Sequence, residues 1–396
     1  MKRFLLGVVK VLSSLKLSFA TFVLLLLLVF IGTWQQQYES LFDVQQKYFS
    51  SWFFTFPVFG VPVLLPGGTL LLGLLALNLL VGGVVRMRFR WRSAGVLVIH
   101  LGIVFLLTGS LVEYLLSEKG YLVLREGQTG RTFQSYQEWE ISIAGGDPAH
   151  GRELVIPDTR LLGAQGGRTR RLVSEALPFD LVVEGYARNS VPTPAEHVGE
   201  GEDGFVLERK ADSIKAEANV PGCFVTVVPK QNAGPKTRAL LWGEQRFPWA
   251  VRVGDQTWQI DLRRRTFVTP FSVRLEKFVR RLHPGTQMAA EFSSYVTKID
   301  GGTTSKAHIT MNAPLRDQGV IMFQEGWGPQ DPNDTSAPWS QFAVVRNPSD
   351  QWPKYACYVI GLGMLIHFLI RLVKHLDAEA SRAAAREKAM AKEVPA

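Results

Sequence analysis

The sequence predicts an integral membrane protein: four transmembrane helices, with a large β-rich domain inserted between helices 3 and 4 and standing on the outer side. Three observations predict it. Hydrophobic residues make up 46% of the 396 residues, yet they gather in four runs, 17–34, 68–85, 94–116 and 354–374, each close to the roughly 20 residues that cross a bilayer core of about 30 Å. The net charge of +9 sits beside those runs. The stretch between the third and fourth runs, 117–353, is built of short β-branched segments separated by Gly, Pro and Asp turns.

The first run follows an amphipathic frame carrying Lys2, Arg3, Lys10 and Lys16 and ends in FIGTW. It is longer than the apolar part of a signal peptide and no A-x-A-like cleavage site follows, which predicts an uncleaved span with its N-terminus inside. Residues 35–66 then form an outside loop whose Trp52, Phe53, Phe54, Phe56 and Phe59 suit the membrane interface. The run 68–85 returns inside, where Arg86, Arg88, Arg90 and Arg92 hold that end by the positive-inside rule. The run 94–116 goes out again, with Glu113 as an interfacial carboxylate near its outer end. The fourth run comes back in and ends at Arg371, Lys374 and His375, so both termini lie inside. The tail, 375–396, has helical propensity but no apolar face; it is expected to be a solvated helix or disordered.

Between Ser117 and Pro353 the chain carries 28 Lys and Arg against 28 Asp and Glu, leaving 16 basic and 7 acidic residues for the membrane-flanking parts. The excess is therefore a topology signal, and nucleic acid is excluded as a partner. Segments such as GYLVLREG, WEISIAG, FDLVVEGY, CFVTVVP and TWQIDL predict sandwich or barrel-like architecture. Pro178, Phe179, Glu184, Arg188 and Pro192 recur 92 residues later as Pro270, Phe271, Glu276, Arg280 and Pro284, which suggests two related halves or convergent strand patterning. No Walker loop, GxSxG, HExxH or Rossmann fingerprint is present, so nothing supports an enzyme acting alone in this region. The two cysteines, Cys223 and Cys357, belong to no metal or redox cluster. Cys223 reads as a small semi-buried residue or, more sharply, as a thiol that meets haem or a thioredoxin-like reductant.

The histidines in the apolar runs carry more information, because an ionisable side chain inside a span is a functional hypothesis by default. His100 is six residues from Ala94 and His367 six residues from Val373. Both then lie about 9 Å below the inner surface, on antiparallel helices. Two neutral imidazoles at one depth suit axial haem ligation; equally, each can bond a neighbouring carbonyl or sit wet near the interface. His150, His197, His283, His308 and His375 show no spacing that supports a shared metal site.

Four stretches together resemble the ResB family, a component of the system II machinery for cytochrome c maturation. They are SSLKLSFATFVLLLLLVFIGTW, IHLGIVFLLTGSLVEY, ITMNAPLRDQGVIMFQEGW and VVRNPSDQWPKYACYVIGLGM, in the family's order. Phe323 stands at the family's aromatic before Gln324. Glu325-Gly326 replaces a Ser-Ser, and Asn347-Pro348-Ser349 replaces Asp-Pro-Gly. The resemblance implies that His100 is the family's transmembrane haem-ligating histidine and that Asn312, Pro314, Gly319 and Gln324 contact substrate, while His367 stands on the depth argument alone. It implies a bacterial inner (cytoplasmic) membrane protein with a periplasmic β domain and a transient, non-covalent b-type haem. The implied partners are a WWD-motif haem-handling membrane protein of the ResC/CcsA type and apocytochrome c. Because this chain has no WWD stretch, it would be one part of a haem-attachment synthase and not catalytic alone. The rival reading is a b-type haem membrane subunit of a quinol-linked electron-transfer complex, with His100 and His367 ligating within one chain. A scaffold or receptor with incidental histidines is a third.

Overall fold

A computed structural model describes the chain apart from residues 1, 59, 86–90, 146–152, 196, 198–200, 231–233, 287–288, 330–335 and 394–396. Phe59, Arg86, Arg88, Arg90 and His150 therefore lie outside the described residues. The chain divides into two units, Met1–Ser117 together with Asn347–Ala396, and Glu118–Arg346.

In the first unit, helices α1 (Lys2–Leu12) and α2 (Leu15–Gln35) meet at an elbow of serines. A short α3 (Leu41–Val44) and a hairpin, β1 (Phe53–Val58) and β2 (Val61–Pro66), lead to α4 (Gly68–Asn78), which continues as a π-helical turn, Leu79–Val85. Helices α5 (Ala94–Leu116) and α6 (Trp352–Glu393) complete the unit. Four segments are long and apolar enough to cross a membrane: Leu15–Gln35, Gly68–Val85, Trp91–Leu116 and Trp352–Arg386.

The segment 35–66 differs from the expected loop. Its aromatics build a small core, in which Phe54 packs edge-on against Tyr48 at 4.8 Å and both join Leu28, Val44 and Leu71. Apolar residues that suit an interface also suffice to fold a hairpin where α2 ends and α4 begins. The tail likewise is helix as far as Glu393.

Asn78, the last residue of α4, is polar and 7% exposed. Its amide donates to Leu12 O at 2.6 Å and Ser14 O at 3.0 Å, and its oxygen accepts from Ser18 Oγ at 2.6 Å. Leu12 O, at the end of α1, is one of the carbonyls a helix leaves without an intrahelical donor. The elbow is thereby clamped to α4.

Helix α5 packs antiparallel on α6 through Gly95, Gly102 and Gly109, all buried, one every seven residues. A Cβ at Gly95 would stand 2.4 Å from His367 N, at Gly102 2.6 Å from Ile360 Cγ1, and at Gly109 3.1 Å from Trp352 Cβ. Close backbone approach through small residues is how helices associate when burial from water no longer drives them together. At the start of α6, Asn347 Oδ1 accepts from Ser349 N at 2.9 Å, and Ser349 Oγ donates to Gly109 O at 2.8 Å. The Asn-Pro-Ser turn thus ties α6 to α5. Gly102→Leu is expected to destabilise this pair by about 1–3 kcal/mol through overpacking. The check is Tm of the full chain in detergent, where an unchanged value would count against the packing described.

Among the described residues the second unit holds sixteen strands: β3 (Glu118–Arg125), β4 (Thr129–Gly145), β5 (Glu153–Pro157), β6 (Thr169–Leu172), β7 (Phe179–Ala187), β8 (Ser190–Pro194), β9 (Phe205–Arg209), β10 (Gly222–Pro229), β11 (Thr237–Trp242), β12 (Trp249–Val253), β13 (Gln256–Leu282), β14 (Ala289–Asp300), β15 (Thr303–Thr310), β16 (Leu315–Asp317), β17 (Val320–Gly328) and β18 (Trp339–Arg346). The larger sheet runs β15-β14-β13-β4-β3-β18-β17-β16, with β5 on β4 and β12 on β13; a four-stranded sheet runs β11-β10-β7-β6, and β8-β9 is a hairpin. All the pairings are antiparallel.

Two cores result. One packs Phe179, Leu181, Val183, Val225 and Leu241 against Ile141, Ile260 and Leu262; the other gathers Phe133, Phe271, Val273, Leu275, Met322 and Phe342. The long strands β4 and β13 contribute to both. Where β13 passes from one core to the next stand three arginines, each held by β4: Arg263 Nε donates to Glu140 at 3.1 Å, Arg264 stacks on Trp139 at 4.6 Å, and Arg265 donates to Glu138 at 2.9 Å. The segments related by 92 residues fall one in each core. Phe179, Leu181 and Val183 are fully buried in β7, and Phe271, Val273 and Leu275 are buried in β13. In both strands the register slips just beyond the third of these.

Candidate functional site

The site grows from the N-terminal half of α5. His100 Nδ1 lies 3.1 Å from Gly83 O in the π-helical turn that ends α4. A Cβ on Gly83 would stand 3.0 Å from His100 Cγ and 3.0 Å from Nδ1, so the ring lies directly on a glycine. A carbonyl oxygen can only accept. A neutral ring bonded there donates from Nδ1 and keeps its lone pair on Nε2, which is the arrangement that orients metal-ligating histidines. The donor chemistry of His100 therefore fits one axial bond to a haem iron.

The equal depth expected of His100 and His367 is corrected by the helix register. Gly95 packs on the backbone of His367, and Gly363 on Ile99 N, which places His367 level with Gly95. His100 lies five residues further along α5, about 7.5 Å. It also points elsewhere. Two residues before Gly102, it sits about 200° around the helix from the stripe that meets α6, and it faces α4 instead. Counting from the ends of apolar runs missed this because α6 continues well past Val373, so the run's end was no depth marker. The two rings do not face one another, and an intrachain ligand pair is not formed. His367 is half-buried, and its Nδ1 is buried with no hydrogen-bond partner among the described residues.

The residues expected to contact substrate are placed as follows. Gln324 is 4% exposed. It accepts from Ser294 Oγ at 2.6 Å and donates to Gly326 O at 2.7 Å, and Ser294 in turn lies 2.7 Å from Ser340 Oγ. Every polar atom of its side chain is engaged inside the strand layer, where it braces the irregularity between Gln324 and Gly326. Gly319, with φ of 75°, follows Gln318, with φ of 47°, and together they form the two-residue turn between β16 and β17 that requires left-handed backbone. Asn312 is exposed in the bend after β15, and Pro314 follows it half-buried. The four residues shape a hairpin and do not converge on one site.

Cys223 is fully buried in the first core, and burial pushes its thiol up to about 12. The sharper reading, a thiol meeting haem or a reductant, is thereby corrected: the folded chain offers no access. At pH 8 its thiolate fraction would be roughly 10⁻⁴. Native protein treated with a maleimide at that pH is expected to stay unmodified at Cys223 and to react only after denaturation, as peptide mass spectrometry can check. Of the remaining histidines, His308 stacks on Tyr295 at 4.4 Å and His375 lies 3.4 Å from Glu379.

Residues 245–343 match the model of the ResB-like family. That stretch is ResB-like. It runs from just before β12 into β18 and includes the Met311–Gln324 pattern, most of the second core and the Gln318–Gly319 turn. The ResB-like family is associated with cytochrome c biogenesis. His100 and His367 lie outside the ResB-like stretch. No curated protein matches the chain.

Sequence reasoning passed over Gly83 and Asn78. A Gly-Gly pair near the C-terminal end of the second run and a lone Asn in apolar sequence were the available signals, and both have meaning only once α4 is laid against its neighbours.

Proposed function

We propose that the chain is the haem-ligating, apocytochrome-presenting component of a membrane haem-attachment complex in system II cytochrome c maturation. The observation that carries this reading is His100: an imidazole within an apolar span, aimed by a carbonyl so that Nε2 is free to ligate, in a chain whose outer stretch is ResB-like. Bound haem would supply an iron that accepts one imidazole from this chain. The chain's own part is to hold that ring at a fixed angle within the bundle. A second iron ligand would come from a WWD-motif partner, since His367 lies level with Gly95 and not with His100. The β unit, standing periplasmic with both termini cytoplasmic, presents the apocytochrome near the site where its CxxCH cysteines are joined to haem.

The test is co-expression of this chain, a WWD-motif partner and a reporter apocytochrome c, scored by covalent haem on the reporter. Holocytochrome formed only when both membrane chains are present supports the reading. Equal yield from the partner without this chain overturns it.

A further inference from the structure

We infer that Gly83 is a positioning residue for His100, its carbonyl setting the tautomer and its missing side chain setting the angle, so that Nε2 alone is presented for ligation. The inference rests on the reading of His100 as a haem ligand and adds to it the element that aims the ring.

Gly83 lies in the turn Leu79–Val85, which continues α4, and its carbonyl oxygen stands 3.1 Å from His100 Nδ1. A carbonyl can only accept, and in a bilayer no water competes for the ring's N–H. The fit is tight, because a Cβ on Gly83 would stand 3.0 Å from two ring atoms and 3.3 Å from Cδ2. A side chain there requires the imidazole to shift by a few tenths of an ångström, away from the carbonyl it meets.

The turn is also backed on its other side. At the adjacent Gly82 a Cβ would stand 3.2 Å from Ser13 Cα and 3.3 Å from Ser13 O, and Asn78, one helical turn earlier, is bonded to Leu12 O and Ser14 O. The elbow between α1 and α2 therefore backs the turn on the side away from His100. Gly82 and Gly83 divide the work, the first seating the turn on the elbow and the second receiving the ring.

The experiment uses the full chain, labelled with ¹⁵N-histidine and without haem, in lipid bilayers. His100 resonances are assigned by difference against His100→Gln and, independently in the wild type, by dipolar coupling to ¹³C-carbonyl glycine. A neutral hydrogen bond of this kind biases the tautomer about tenfold. The expected result is His100 with Nδ1 protonated and Nε2 bare, and loss of that bias in Gly83→Ala. A wild-type His100 protonated on Nε2, or a tautomer ratio indifferent to Gly83→Ala, overturns the inference. Because this readout contains no haem, a correct tautomer in a chain that never acquires haem in complex would overturn the proposed function and leave the positioning role standing.

Discussion

His100→Ala is expected to reduce holocytochrome c yield at least tenfold in the co-expressed complex, while His367→Ala keeps most of it. The asymmetry follows from geometry. His100 has its Nδ1 3.1 Å from Gly83 O, whereas His367 sits against the backbone of Gly95 on the far side of α5. With His100 as a haem ligand, its loss would leave haem weakly held, so the effect would read as lost haem as well as lost product. Added imidazole should restore part of the yield to His100→Ala, because it refills the coordination position without restoring the helix. Equal losses in the two variants would show that the helix register described for α5 and α6 does not govern ligation.

The second large effect lies in the β unit. Arg263→Ala leaves Glu140, 2% exposed, without the guanidinium that stands 3.0 Å away. Removing one partner of a buried pair costs about 3–5 kcal/mol. The lower end applies because the arginine side chain is 31% exposed. Burial already holds the Glu140 carboxyl above its usual range, with Arg263 opposing that rise. A carboxyl raised in the folded state favours folding when protonated and loses that contribution as pH rises through its folded value. The defect in Arg263→Ala is therefore largest near neutral pH and shrinks as the pH falls and Glu140 takes a proton. Arg265→Ala is the control. Its partner Glu138 is 44% exposed, and about 0.2–1 kcal/mol is expected. Denaturant unfolding of the full chain at two pH values, followed by circular dichroism, checks both magnitude and sign.

The four apolar runs and the β-rich stretch between them were legible because each announces itself locally, by length in the first case and by alternation and turn residues in the second. The hairpin of β1 and β2 was not, since Phe53 and Phe54 read equally as interface anchors and as strand residues until Tyr48 and Leu71 close over Phe54. At the candidate site the histidine was legible and its surroundings were not. His100 stands out as a lone ionisable group in apolar sequence, but its orientation is set by Gly83, which is seventeen residues away and has no side chain to notice. The pairing with His367 failed for the same kind of reason: depth counted along two separate runs cannot show how the helices slide against each other, and Gly95 and Gly363 fix that register by contact. Gln324 shows a further limit. A polar residue in a family pattern looks like a binding group, and only the oxygen of Ser294 and the carbonyl of Gly326 show that it is spent inside the fold.

The most direct measurement is the axial ligation of haem by electron paramagnetic resonance, in this chain purified alone and co-purified with a WWD-motif partner. The account predicts a bis-imidazole signal in the two-chain complex that disappears with His100→Ala and survives His367→Ala. A bis-imidazole haem in the isolated chain that requires both His100 and His367 would contradict it, and would favour the quinol-linked haem subunit instead.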